Sequence, residues 1–320
     1  MDDFALLGND LFGDAIEQEG RGELQKKFTI PPFSILNARE GLRQERKRAW
    51  LALGIQSEVG RNRGLKGLAT AYSVSRTSQS SSGLVRVAEN AQQTKDETSI
   101  FDPVLCELAY TWFCPPGGQI IDPFAGGSVR GIVAHKLGYK YWGCDLRQEQ
   151  IEANETQGQE ICGDSGPVWA CGDAMDELTI LPDEYADFVF TCPPYGSLEV
   201  YSDDERDLSN MEHHTFIANY KRIILRACKK LKNNRFAAIV VGDFRDKKGN
   251  YRNFVSDTIA AFREQGLHLY NEVILVTAIG SLPIRITKQF DASRKIGKTH
   301  QNLLIFVKGD GKAATKAIIG

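Results

Sequence analysis

Two short segments carry the residue types that chemistry needs. In Thr191-Cys192-Pro193-Pro194-Tyr195 a thiol and a phenol flank two prolines, directly after the apolar run Phe188-Val189-Phe190. In Asp122-Pro123-Phe124-Ala125-Gly126-Gly127-Ser128 a carboxylate and small residues follow Ile120-Ile121. An apolar run that stops at Pro-Pro or Gly-Gly reads as a strand ending in a turn. The glycines let a ligand approach backbone N–H groups at the start of a helix, at the strand end where α/β proteins bind ligands. The pair therefore reads as a cofactor loop followed by a catalytic loop.

Two further acids sharpen the first loop. Asp145 ends the next strand in Gly143-Cys144-Asp145, and Asp173 ends the one after in Cys171-Gly172-Asp173-Ala174. A carboxylate at 145 suits two ribose hydroxyls, and one at 173 suits an adenine amino group. Acids at three successive strand ends, Asp122, Asp145 and Asp173, are the arrangement a nucleoside cofactor needs; capping of the following helices is the other use for such acids. A dinucleotide fingerprint Gly-x-Gly-x-x-Gly is absent, because the glycines fall at 126, 127 and 131.

The elements that must position these loops alternate between helix and strand from Phe101 onward, predicting an α/β fold with a mostly parallel sheet and helices on both faces. Strands are expected at Gln119 to Ile121, Tyr139 to Cys144, Val168 to Cys171, Asp187 to Phe190, Phe236 to Val241, Glu272 to Ala278 and Leu303 to Val307, seven in all. Helices are expected at Pro103 to Trp112, Val129 to Leu137, Arg147 to Thr156, Thr215 to Leu231 and Tyr251 to Gln265. The connection Ile279 to Gln301 carries Arg285, Lys288, Arg294, Lys295, Lys298 and His300 against one acid, Asp291. It reads as a long loop without secondary structure whose charge suits phosphate contact, or as an ordinary solvated loop.

Residues 1–96 differ in character and form an accessory region, with the catalytic domain at 97–320. A basic helix-like run from Asn37 to Leu53 is either a solvated helix with intrahelical ion pairs or a nucleic-acid contact through Arg43 and Lys47, joined by Arg61, Arg63 and Lys66. The polar tract Ser73 to Gly83 is expected to be flexible.

Composition sets outer bounds. The chain has 320 residues, 42% hydrophobic and 25% charged, with a formal charge of -2, so nucleic-acid binding would rest on local patches rather than overall basicity. Seven cysteines, none in a Cys-x-x-Cys pair, argue against zinc ribbons and disulfide frameworks and for reduced thiols in a cytoplasm. No apolar run approaches the roughly 20 residues of a membrane span. A soluble cytoplasmic protein, without metal or membrane partner and of undetermined oligomeric state, is the expectation. The adjacent His213-His214 do not face one site from a helix and read as surface residues.

Together these motifs resemble those of the amino-group DNA methyltransferases, over about Thr98 to Gly309. Asp122 to Ser128 looks like their first motif, and Asp145 with Leu146 and Asp173 with Ala174 look like the second and third. Thr98-Ser99-Ile100-Phe101-Asp102-Pro103 resembles the upstream motif near the methionine end of the cofactor. The resemblance implies a Rossmann-like class I methyltransferase fold and S-adenosylmethionine as cofactor. It places Ser99, Ile100, Phe101, Asp122, Phe124, Ala125, Gly126, Gly127, Ser128, Asp145, Leu146, Asp173 and Ala174 in the cofactor site.

Thr191 to Tyr195 is similar to the family's catalytic Pro-Pro-aromatic loop, which makes Cys192, Pro193, Pro194 and Tyr195 the catalytic residues and double-stranded DNA the partner. An exocyclic amino group has its lone pair delocalised into the base, so the loop must accept its hydrogens while the nitrogen becomes tetrahedral. Tyr195 would stack on a flipped base. Family members carry Asp, Asn or Ser where this chain has Cys192. Cysteine is nearest serine, which favours cytosine N4 over adenine N6. A covalent role for the thiol is the alternative, although ring-carbon enzymes carry Pro-Cys and not Cys-Pro-Pro. DNA contacts are assigned to Arg43, Lys47, Arg285, Lys288, Arg294, Lys295 and Lys298. The acidic loop Gly196 to His214 would repel phosphates and either fold over the target base or be solvated. Gly242-Asp243-Phe244-Arg245 lies at the same edge, where it would shape the base pocket, and Lys298 to Asn302 would buttress the catalytic loop. An RNA or protein substrate, or a binding module without turnover, are the competing readings.

Overall fold

The computed structural model describes residues 23–38, 41–56, 101–198, 200–277 and 282–320. Its strands are β1 (Ile35–Asn37), β2 (Gln119–Asp122), β3 (Lys140–Asp145), β4 (Val168–Cys171), β5 (Ala186–Thr191), β6 (Leu231–Val241), β7 (Leu267–Val276) and β8 (His300–Lys308). They form one sheet in the order β1-β7-β8-β6-β5-β2-β3-β4. Every pairing is parallel except those of β8, which runs antiparallel to β6 and β7. The sheet has eight strands where seven were expected. The extra one, β1, lies in the accessory region and pairs Ile35 with Ile274; three residues are too few to display a period of two.

Apolar alternation divides the core between the two faces. On β6, Phe236, Ala238 and Val240 face one cluster with Phe188 and Phe190 of β5, while Ala237, Ile239 and Val241 face the other. The first face is covered by α2 (Gly41–Ala52), α3 (Pro103–Phe113), α4 (Val129–Lys136), α5 (Gln148–Cys162) and α10 (Gly311–Ile319). The second is covered by α6 (Ala174–Ile180), α7 (His213–Lys230) and α8 (Phe254–Arg263). Helix α7 shows why: Phe216, Tyr220, Ile223, Ile224 and Ala227 recur at helical spacing and are all buried. Helix α5 runs on to Cys162 where a stop near Thr156 was expected. Gly158 is an interior packing position, since a Cβ there would lie 2.8 Å from Trp169 Cζ3.

Two other expectations are corrected. The connection between β7 and β8 contains α9 (Leu282–Ser293); Pro283 fits a first turn, and the β-branched Ile284, Ile286 and Thr287 had hidden the helix by lowering its propensity. Helix α2 makes its ion pairs to α3 rather than within itself. Arg43 Nη2 binds Asp102 at 2.7 Å. Buried Glu107 accepts from the Arg46 guanidinium and, at 2.8 Å, from Trp50 Nε1. Docking of this kind suits a carboxylate that is 0% exposed, because an unpaired buried charge would cost several kcal/mol.

Candidate active site

The parallel strands end together, so Asp122, Asp145, Asp173 and the loop after Thr191 share the carboxyl edge of the sheet. Register aligns Asp122 with Gly143 and Asp145 with Cys171. Antiparallel β8 brings its amino end, His300 and Gln301, to the same edge beside Val241.

Asp122 holds the loops together rather than facing a ligand. It is 0% exposed, and its Oδ2 accepts from Arg130 Nε at 2.5 Å and from the Tyr141 hydroxyl at 2.8 Å. Its Oδ1 accepts from Thr191 Oγ1 at 2.6 Å and Phe124 N at 3.2 Å. Arg130 also donates through Nη2 to the carbonyls of Phe124 at 2.5 Å and Ala125 at 2.8 Å, and its guanidinium lies 4.5 Å from the Phe101 ring centroid. Burial opposes the Arg130 charge, but the adjoining Asp122 carboxylate, with Tyr141 and Cys192, raises the Arg130 pKa and keeps the guanidinium charged. One buried pair thus ties together Phe101, the glycine loop and, through Thr191, the Pro-Pro-Tyr loop.

Asp145 is partly exposed. Its carboxylate accepts from Gly126 N at 3.1 Å and Arg147 N at 2.9 Å, with 18% of the side chain exposed. Asp173 caps α6 through Met175 N at 2.8 Å, so the capping use of a strand-end acid applies here. Gly126 takes a left-handed φ of 51°, which glycine adopts without a Cβ clash. Ala125 is buried, with its N–H on Cys144 O, and Ser128 Oγ donates to Gln157 Oε1 at 3.0 Å. Gly127 and Leu146 are half-buried and Ala174 is buried at the start of α6. Half-buried Phe124 stacks on Tyr220. A partly exposed carboxylate beside a glycine turn and a helix N-terminus is a donor and acceptor set that fits a hydroxyl-bearing nucleoside. Ser99 and Ile100 lie outside the described residues.

In the Pro-Pro-Tyr loop, Pro193 is buried while Cys192, Pro194 and Tyr195 are half-buried. Cys192 Sγ lies 3.9 Å from the Tyr195 hydroxyl, which accepts from Gln301 Nε2 at 2.6 Å. The Tyr195 ring meets Phe254 edge-on, with centroids 6.2 Å apart. The phenol is thus fixed at both ends, as a stacking platform requires.

The basic candidates separate. Arg43 is only 4% exposed and spent on Asp102, so it is a docking residue and not a surface cation. Lys47 is half-buried on α2; Lys288 and Arg294 are exposed on and after α9; Lys295 and Lys298 are half-buried. Arg61, Arg63, Lys66, the Ser73 to Gly83 tract and the Arg285 side chain lie outside the described residues. The acidic loop folds upon itself: Asp207 is 6% exposed and accepts from Ser209 N, and Asp204 pairs with Arg206 at 2.7 Å. His213 packs against Phe216 and Phe244 rather than standing free, and burial lowers its pKa. Among the described residues no His, Cys, Asp and Glu group is placed to hold a metal, and no helix is long and apolar enough to cross a membrane.

Sequence reading missed Arg130, Tyr141 and Thr191. The one available signal was an arginine in the first turn of α4, eight residues after a strand-end acid.

No protein-family model matches the chain, and no curated protein matches it in sequence. Among solved structures, the chain is similar to TrmN from Thermus thermophilus at 14% identity and TM-score 0.44, over 65% of this chain and 49% of that one. It thus spans about half the length of TrmN. It is also similar to a TehB-like SAM-dependent methyltransferase from Corynebacterium glutamicum, at 16% identity and TM-score 0.41, over 66% of this chain and 89% of that one. For magnesium protoporphyrin IX methyltransferase from Synechocystis the values are 12% and 0.40, over 65% and 76%. The strand order, with one antiparallel strand inserted beside β6, defines the fold by itself. It is the Rossmann-like class I methyltransferase fold, carrying one added edge strand.

Proposed function

We propose that this protein is a methyltransferase that uses S-adenosylmethionine to methylate an exocyclic amino group of a base in double-stranded DNA, cytosine N4 before adenine N6. The observation that carries the reading is the hydrogen bond from Thr191 to Asp122, which sets the Pro-Pro-Tyr loop directly against the glycine loop. Asp145 would hold the ribose hydroxyls, the Gly126 to Ser128 turn the body of the cofactor, and Phe101, against the Arg130 guanidinium, its methionine end. Asp173, with its cap to Met175, would meet the adenine from the rim. S-adenosylmethionine, when bound, supplies an electrophilic methyl group.

The chain's own residues prepare the acceptor. Cys192 Sγ and the Pro193 carbonyl accept hydrogen bonds from the amino group as the nitrogen pyramidalises, and Tyr195, held by Gln301 and Phe254, stacks on the base. Excluding water from this edge strengthens those contacts. In this reading residues 97–320 perform the catalysis and residues 1–96 support it, α2 by docking on α3. Lys47, Arg285, Lys288, Arg294, Lys295 and Lys298 are the cations assigned to the DNA backbone.

The test is incubation with S-adenosylmethionine and mixed-sequence duplex DNA, digestion to nucleosides and mass spectrometry. N4-methylcytosine or N6-methyladenine is the expected product. Ring-methylated cytosine would make Cys192 a nucleophile, and no DNA product under conditions where RNA or protein is methylated would transfer the reading to those polymers.

A further inference from the structure

Beyond β6 the chain makes a tight turn rich in cations, and part of it meets the segment leading into β8. Arg245 and Tyr251 form an isolated antiparallel bridge, and the Arg245 guanidinium lies 3.9 Å from the Tyr251 ring centroid. Lys298 Nζ stands 5.8 Å from the same ring. Between them Asp246 is spent on closing the turn, accepting from Asn250 N at 2.8 Å. Lys295 lies across that turn, with Nζ 2.6 Å from where a Cβ on Gly249 would be.

Three observations make this a built site rather than a solvated patch. Arg245, Lys295 and Lys298 are all half-buried, yet none makes an ion pair with a carboxylate among the described residues. The neighbouring acid, Asp243, already accepts from Val255 N at 3.1 Å. Arg245 and Lys298 converge on one ring with Asp243 as the neighbouring counter-charge, which leaves an excess of positive charge that an anion between the two cations would offset. The site also adjoins the catalytic loop: a Cβ at Gly242 would lie 3.6 Å from both Lys298 Cε and Gln301 Cγ, and Gln301 is the residue that holds Tyr195.

We propose that Arg245, Tyr251 and Lys298 form a subsite for the phosphodiester backbone of the strand whose base enters at Tyr195, which rests on the polynucleotide reading above. Arg245 donates through Nη1 to Gly249 O at 2.8 Å and offers its remaining donors to phosphate oxygens, and Lys298 adds a point charge 5.8 Å from the same ring. Tyr251, 41% exposed, is the ring that both cations adjoin. Helix α9 cations are secondary, because Lys288 and Arg294 stand exposed and Arg294 already faces Asp291.

The experiment measures the affinity of the full chain for a short mixed-sequence DNA duplex across a salt series, alongside S-adenosylmethionine affinity. Each of Arg245→Gln and Lys298→Gln is expected to flatten the log–log salt slope by about 0.9, and the pair by about 1.8. Cofactor affinity should stay unchanged. Arg245→Lys and Lys298→Arg should restore the slope, which separates lost charge from lost folding. An unchanged slope in the double glutamine variant overturns the subsite. If the wild type binds no nucleic acid, the polynucleotide reading falls. The subsite is then tested with inorganic phosphate, read by the resonance of Lys298 after isotopic methylation of the lysines. A phosphate-induced shift that Arg245→Gln abolishes sustains an anion site, and no shift in the wild type overturns it.

Discussion

Replacing Thr191 by valine tests whether the catalytic loop is held by the cofactor loop's acid. The substitution keeps the β-branched shape that suits the end of β5 and removes one hydroxyl. That hydroxyl donates to Asp122 Oδ1 at 2.6 Å, and both residues are 0% exposed. A buried hydrogen bond to a charged acceptor contributes about 1.5–3 kcal/mol. Oδ1 would keep Phe124 N at 3.2 Å, and Oδ2 would keep Arg130 and Tyr141, so the acid stays compensated and the cost should fall near 2 kcal/mol. Breaking the Asp122–Arg130 pair itself would cost more, about 3–5 kcal/mol. Urea unfolding followed by circular dichroism should show a lower midpoint with an unchanged slope. Methyl transfer should fall with it, since Cys192 follows directly in sequence, although Thr191 itself is fully buried. Thr191→Ser should recover most of both. A valine variant within 0.5 kcal/mol of wild type and fully active would refute the coupling.

Asp145→Ala should weaken S-adenosylmethionine binding at least tenfold by calorimetry, which corresponds to about 1.4 kcal/mol, with little change in unfolding; unaltered affinity would remove Asp145 from the ribose site. Cys192→Ser should retain or raise methyl transfer, because a hydroxyl accepts hydrogen bonds better than a thiol, whereas complete loss in a folded variant would make the sulfur a nucleophile. Burial lowers the pKa of Lys298, with Asp243 opposing and Arg245 reinforcing that shift and His300 close by. A phosphate favours the charged form, so duplex affinity should decline as pH rises through the Lys298 pKa, sooner than for an ordinary lysine. Lys298→Arg should delete that dependence, and a pH profile identical in the two proteins would refute it.

The strands around Ile120-Ile121 and Phe188-Val189-Phe190 were legible because a buried parallel strand is a short apolar run closed by turn residues, and both loops declare their turns with Gly-Gly and Pro-Pro. The role of Asp122 was not. A strand-end carboxylate reads the same whether it faces a ligand or an arginine in the first turn of the next helix, and only tertiary packing distinguishes them. Arg43 misled for a related reason: a cation on a short amphipathic helix suggests solvent or phosphate, while the acid that consumes it, Asp102, is 59 positions away. The cation cluster at Arg245 and Lys298 was visible only in halves, as two segments that β6 and β8 bring to one edge.

The reversed direction of β8 gives the site a detachable part. Thr277 N donates to Thr299 O at 2.9 Å and Val276 pairs with His300, so among the described residues the segment carrying α9 returns to the sheet at a hydrogen-bonded neck. Loop closure grows costly only slowly with length. Segments of quite different size can therefore be exchanged above that neck while Gln301 stays seated on Tyr195, which makes it the natural place to graft a new target preference onto an unchanged catalyst.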